Sequence, residues 1–279
     1  MPRHIPHRRH CRGRSAFKPK ASICGGAILS SWWVLSAAHC FTGDISSGLH
    51  IVVNMDGNPL GRRDLERVLF HQDFNGETLK NDIALILLDS PIHFNEETTP
   101  ICLPLLHDLS IWHDCWVAMW RPTPTGPGAD DNETTKVLKR TEMTLIGKKA
   151  CLEKVPALTG DVLCTISEAE EGPKTCKDDS GSPLVCTHGK STKWFLVGVA
   201  SKGEHCKQEG SPAVYTAVFH YMDWIEKATA VEGKPFIPEG VDDIGLRAET
   251  STPPSSSQAP SSSAAFMIPP VLVLTVFSL

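Results

Sequence analysis

Three short segments carry the side chains that nucleophilic acyl transfer requires. That chemistry needs a nucleophile, a base to take its proton, a carboxylate to orient and charge-stabilise the base, and N–H donors for the developing oxyanion. His39 lies in Ala37-Ala38-His39-Cys40, preceded by Cys24-Gly25-Gly26. Asp82 lies in Asn81-Asp82-Ile83-Ala84-Leu85, and Ser180 in Cys176-Lys177-Asp178-Asp179-Ser180-Gly181-Ser182-Pro183. Taken singly each has a plain structural reading. A histidine beside a cysteine is ordinarily structural, and an aspartate before an apolar run can be a turn residue. Together they supply one complete set of groups for acyl transfer.

The elements that must hold these residues read as strands. From about Ser22 to Val218 the chain alternates short apolar runs, among them WWVLSAA, LHIVVNM, DIALILL, CWVAMW, SPLVC and WFLVGVAS, with Gly, Pro, Asn and Asp. Such punctuation predicts an all-β fold of many strands. One helical pattern stands out at Phe219 to Val231, where Phe219, Met222, Ile225 and Ala228 recur at every third position. With 279 residues, 41% of them hydrophobic, the chain is long enough for a sizeable core. A formal net charge of −5 gives no general attraction to nucleic acid, although Arg3, Arg8, Arg9, Arg12 and Arg14 make residues 1–21 a locally basic leader, read as a disordered arm. His4, His7, His10 and Cys11 lie close enough together for a metal tract, but nothing downstream supplies the other half of a site, and no metal is expected.

In order along the chain, CGG, SAAHC, DIALI, ICLP, CWVAMW, DSG followed by PLVC, and PAVYT resemble the trypsin/chymotrypsin family of serine proteases. The resemblance covers roughly Ser22 to Val231. Within it, WWVLSAAHC, DCWVAMW and WIEKATAVEGKPF followed by an apolar tail look like the testis-type, membrane-anchored members. The resemblance implies two antiparallel β-barrels of six strands each, a C-terminal helix, and an active cleft between the barrels. It implies that Ser180 is the nucleophile, His39 the base, Asp82 its orienting carboxylate, and the backbone N–H groups of Asp178 and Ser180 the oxyanion donors. The substrate pocket would comprise Lys174, Ser201, Lys202, Gly203 and Ala213, with Ser201 also supporting the carboxylate. Expected disulfides are Cys24–Cys40, Cys115–Cys186, Cys151–Cys164 and Cys176–Cys206, leaving Cys11 and Cys102 as a fifth candidate pair. A peptide or protein is the implied substrate or partner, no cofactor is required, and a monomer is expected.

The sequence also departs from an active member of that family. Asp178 stands where a glycine is usual, placing a carboxylate beside a site that must stabilise negative charge. Lys174 occupies the pocket floor where trypsin-like members carry an aspartate, Lys202 replaces a tryptophan wall, and Ala213 replaces a glycine. Met119, Arg121 and Ser182 replace further glycines expected near the same shell. No Ile-Val-Gly-Gly activation sequence is present, and only 23 residues precede Cys24, so a shortened first strand and an Asp179 without its usual counter-charge are expected. The expected function is therefore a serine endopeptidase homologue whose activity is weak or lost, with a non-catalytic protein-binding role as the alternative.

Ten cysteines without a CxxC pair point to disulfides and an oxidising compartment, hence an extracellular or cell-surface protein, although no signal-peptide pattern is visible near residue 1. The sequon at Asn132 would then be glycosylated. The protease-like domain is expected over residues 22–232, followed by a Pro/Ser-rich linker over 233–265 and an apolar tail over 266–279. That tail is shorter than the ~17–25 residues of a spanning helix. With the small residues Ser255 to Ser257 and a polar spacer before it, it has the layout of a glycolipid-anchor signal; the alternative is an exposed, poorly ordered tail, and Pro269 and Pro270 weaken a helix.

Overall fold

Strands buried on both faces explain how the chain packs two barrels face to face. The computed structural model describes residues 23–42, 50–55, 58–95, 98–104, 108–124, 134–156, 158, 160–167, 180–189, 193–202, 211–237 and 273–277. In strand β3 (Trp33–Ser36), Trp33 and Leu35 enter the cluster between the barrels while Val34 points into the first barrel. Strand β6 (Ala84–Leu88) repeats this, with Leu85 and Leu87 between the barrels and Ala84, Ile86 and Leu88 inside the first. A strand buried on both faces must be apolar at every position, which is what ALILL supplies.

The first sheet also contains β1 (Ile23–Cys24), β2 (Ala27–Ile28), β4 (His50–Met55) and β5 (Asn58–Phe70). Its ladder runs β2-β3-β6-β5-β4, every pairing antiparallel. A late segment, β13 (Val273–Phe277), pairs with β4 on one side and with β1 and β2 on the other, which closes the ladder on itself. The second sheet is a closed barrel of β7 (Trp112–Pro124), β8 (Thr134–Ile146), β9 (Val162–Ile166), β10 (Pro183–His188), β11 (Phe195–Lys202) and β12 (Ala213–Ala217) in the order β10-β11-β12-β9-β8-β7. Its interior holds Val117, Leu184, Val197 and Tyr215, while Val185, Leu196 and Val199 face the first barrel.

Two helices complete the fold. Helix α1 (Lys148–Lys154) is short and bound to β9 through the Cys151–Cys164 disulfide. Helix α2 (Met222–Val231) follows a 3₁₀ turn at Val218–Tyr221, so regular α-helix begins three residues later than the apolar spacing indicates. Met222 and Ile225 sink into the inter-barrel cluster. Beyond the helix, the Lys234 carbonyl accepts a 2.7 Å hydrogen bond from Trp33 Nε1, and the Lys234 ammonium sits 3.7 Å over the Trp32 ring. Phe236 also packs against the inter-barrel cluster, and its N–H donates to Thr229 Oγ1 at 3.0 Å. Within the 266–279 tail, Val273–Phe277 forms a paired strand.

Candidate active site

His39 is positioned by what precedes and follows it. It lies in a 3₁₀ turn at Ala38–Phe41 leading out of β3, and the Cys24–Cys40 disulfide ties that turn to β1. Asp82 immediately precedes Ile83 and β6, and its side chain is 0% exposed. A carboxylate in such a place is costly unless its oxygens are satisfied. Here they are: the His39 backbone N–H donates to Oδ1 at 2.8 Å, His39 Nδ1 lies 2.6 Å from Oδ2, and the Ser201 hydroxyl donates to Oδ2 at 2.6 Å. Because Oδ2 can only accept, the imidazole carries its proton on Nδ1 and leaves the Nε2 lone pair available. The His39 side chain is 23% exposed, so that lone pair belongs to a ring open to solvent.

Both barrels hold Asp82. Thr216 on β12 donates to the Asp82 carbonyl at 2.8 Å, and Ser201 comes from β11. The preceding residue, Asn81, adopts φ 55°, a left-handed conformation that asparagine tolerates better than most residues. Its side chain accepts from the Tyr221 hydroxyl at 3.0 Å and donates to the Asp73 carbonyl at 2.9 Å. Thr216, Asn81 and Tyr221 were not among the residues singled out from the sequence. A threonine inside the apolar run AVYTAV was the available signal for the first of them.

Ser180 begins a tight turn into β10 that locks against the first barrel. Its carbonyl accepts from Gly25 N–H at 2.7 Å, while Gly181 N–H donates to the Ala200 carbonyl at 2.8 Å. Gly25 in turn accepts a 2.8 Å bond from the Ser36 hydroxyl. Gly181 has φ 78°, and a Cβ there would overlap the Gly25 carbonyl oxygen and come within 2.5 Å of Ser36 Oγ. Gly181→Ala should therefore lower unfolding free energy by about 3 kcal/mol, combining left-handed strain with overpacking, as a denaturant titration would measure.

The remaining site residues divide between seen and unseen. Ser182 is buried, with its hydroxyl 2.7 Å from where a Cβ on Gly25 would lie; glycine at 25 makes room for serine at 182. Met119 is fully buried inside the second barrel beside Val117, Leu184 and Tyr215, because position 119 shares the inward face of β7 with 117. Ala213 opens β12 and is buried in the same barrel interior, and the Lys202 backbone pairs with Val214. Lys174, Asp178, Asp179 and Gly203 lie outside the described residues, as do Asn132, Cys11, Cys176 and Cys206. The structure joins Cys115 to Cys186 across β7 and β10, in addition to the two disulfides above. Cys102 forms a β-bridge to Phe195. Among the described residues no group of three or more His, Cys, Asp or Glu is arranged to hold a metal ion.

The sequence model of the trypsin family matches residues 4–225. This chain belongs to the trypsin family. It is also 31% identical over 215 residues to transmembrane protease serine 7 of Mus musculus. That alignment takes in 74% of this chain and 25% of the relative, so the chain spans about a quarter of that protein's length. Among the described residues no helix is long and apolar enough to cross a membrane. The disulfides and the membrane-anchored relative together point to the cell surface or exterior.

Within this trypsin-family domain one histidine near the triad segment titrates abnormally. The His71 ring packs edge-on to Tyr221 at 5.3 Å and tilted against Trp224 at 5.3 Å. Burial there pushes its pKa below 6.5, with the Asp73 carboxylate pulling the other way. A histidine whose folded pKa is depressed resists protonation in the native state. Its contribution is intact above about pH 6.5 and is lost as pH falls below that value toward the folded pKa. Melting temperatures recorded from pH 7.5 to 5 should fall more steeply for the parent chain than for His71→Gln.

Proposed function

We propose that this chain is a serine endopeptidase homologue in which Ser180, His39 and Asp82 form the acyl-transfer apparatus and turnover is weak. The observation that carries the reading is the buried Asp82 carboxylate, held by His39 and Ser201 so that His39 Nε2 is left as a base. In the reaction Ser180 Oγ attacks a peptide carbonyl as His39 Nε2 takes the hydroxyl proton. The backbone N–H groups of Asp178 and Ser180 hold the oxyanion. His39 then gives its proton to the leaving amine, and water, deprotonated by the same imidazole, hydrolyses the acyl-Ser180 ester. Asp82 remains ionised throughout and stabilises the imidazolium.

Weak turnover follows from side chains that oppose the chemistry. Asp178 sets a negative charge beside the oxyanion, and Lys174 at the pocket floor disfavours basic side chains and favours acidic ones if the pocket is open. The test is labelling of the secreted, disulfide-bonded chain with a fluorescent fluorophosphonate, beside Ser180→Ala. Labelling that vanishes in Ser180→Ala is expected. Equal signals from the two proteins, in well-folded samples, would remove the catalytic reading.

The same departures favour a second reading, a protein-binding domain that keeps the protease scaffold. In that case Ser180→Ala captures a protein partner as tightly as the parent chain, and neither turns over peptides. A polypeptide ligand is common to both readings. Glycosylation at Asn132 belongs to the same proposal; attachment of a glycolipid near Ser255 to Ser257 is the competing fate of the tail, and release of the protein from cells by a phosphatidylinositol-specific phospholipase would identify it.

A further inference from the structure

The pairing of β13 has no explanation in acyl transfer. All five of its residues lie opposite β4, from Val273 against Asn54 to Phe277 against His50. On its other edge Phe277 and Val276 lie opposite Ile23 and Cys24, and Val273 lies opposite Ala27. The register is continuous on both sides, across the Gly25-Gly26 interruption as well. Among the described residues, β4 and the β1–β2 pair would without this strand be two neighbouring open edges, each a row of unpaired backbone donors and acceptors along an apolar sequence. The segment suits the place: Val273, Thr275 and Val276 are β-branched and Phe277 is aromatic, types that favour strands, with Pro269 and Pro270 breaking any helix before them.

We propose that the gap between β4 and β1–β2 is a strand-binding site, specific for an extended apolar segment, and that its occupant is residues 273–277 of the same chain. The occupied gap also braces the site described above. Cys24, opposite Val276, is bonded to Cys40 beside His39, and Gly25, in the interruption the strand spans, donates to the Ser180 carbonyl. The C-terminal segment is thus a structural part of the first barrel and is retained in the mature protein. Removal of the tail during glycolipid attachment would empty the site, so the two fates exclude one another in a single molecule. This assignment stands whether or not Ser180 is a working nucleophile.

Cross-linking tests it on the full-length secreted chain without reference to activity. Val53 and Leu274 are directly opposed. Directly opposed residues in an antiparallel ladder lie roughly 4.5–5.5 Å apart between Cα atoms, inside the span of a disulfide. The Val53→Cys/Leu274→Cys pair should form a disulfide within one chain, found by peptide mapping without reduction. Val53→Cys/Phe277→Cys, three residues or about 10 Å out of register, should not. Independently, Thr275→Pro should lower the melting temperature by about 6 °C and speed amide exchange over residues 50–55, while Ser256→Pro in the linker should do neither. A mature chain that ends before residue 273, equal cross-linking of the two cysteine pairs, or a 53–274 disulfide formed only between two molecules would overturn the proposal.

Discussion

Asp82→Asn should slow Ser180-dependent phosphonate labelling by about four orders of magnitude and leave the fold in place. The reason is the direction of one hydrogen bond. With a carboxylate at 82, both oxygens accept, and His39 must present Nδ1–H to Oδ2 across 2.6 Å. An amide at 82 has one acceptor and one donor group. The backbone N–H of His39 and the Ser201 hydroxyl compete for the oxygen, and the amide NH2 turned toward Nδ1 selects the opposite tautomer, with the proton on Nε2 and no base facing the nucleophile. The variant also loses the negative charge that stabilises the imidazolium. Since an amide of nearly the same shape keeps hydrogen-bonding partners in this buried position, near-native circular dichroism and a melting temperature within a few degrees of the parent are expected. Labelling rates within tenfold of the parent would mean that the His39–Asp82 pair is not serving Ser180 as proposed.

Much of this arrangement was legible from residue order. The short apolar runs between turn residues give an all-β fold, and the segments around His39, Asp82 and Ser180 carry the family resemblance that implies two barrels. What escaped notice was whatever depends on a distant partner. Helix α1 is seven residues long, too short for a periodic pattern, and is fixed by a disulfide to β9. The 273–277 segment was weighed by its length as a membrane or anchor tail, since nothing local marks which open edges in the first 60 residues it pairs with. Thr216 holds the Asp82 carbonyl and Tyr221 holds the neighbouring Asn81 through single hydrogen bonds that neither composition nor periodicity encodes. For Met119, expected near the oxyanion shell because it replaces a glycine, residue order does not show that the pleat of β7 turns its side chain into the barrel, where its volume is accommodated.

The second large effect is expected in the opposite direction: Asp178→Gly should accelerate Ser180 labelling by about two to three decades. That is the range associated with gain or loss of a single oxyanion donor, about 2.7–4 kcal/mol of transition-state stabilisation. Two features of Asp178 act against the reaction. With Asp178 proposed as an oxyanion donor, its carboxylate would place negative charge beside the forming oxyanion, and its Cβ would restrict a backbone whose N–H has to point into the site. Glycine removes both obstacles, whereas Asp178→Asn removes only the charge. An acceleration by Asp178→Asn close to that of glycine would assign the loss to electrostatics, and one well short of it would assign the loss to the backbone. The Gly25–Ser180 and Gly181–Ala200 hydrogen bonds hold Ser180 and the turn on its C-terminal side. If neither variant labels faster than the parent, the obstacle lies elsewhere, and the protein-binding reading gains over the catalytic one.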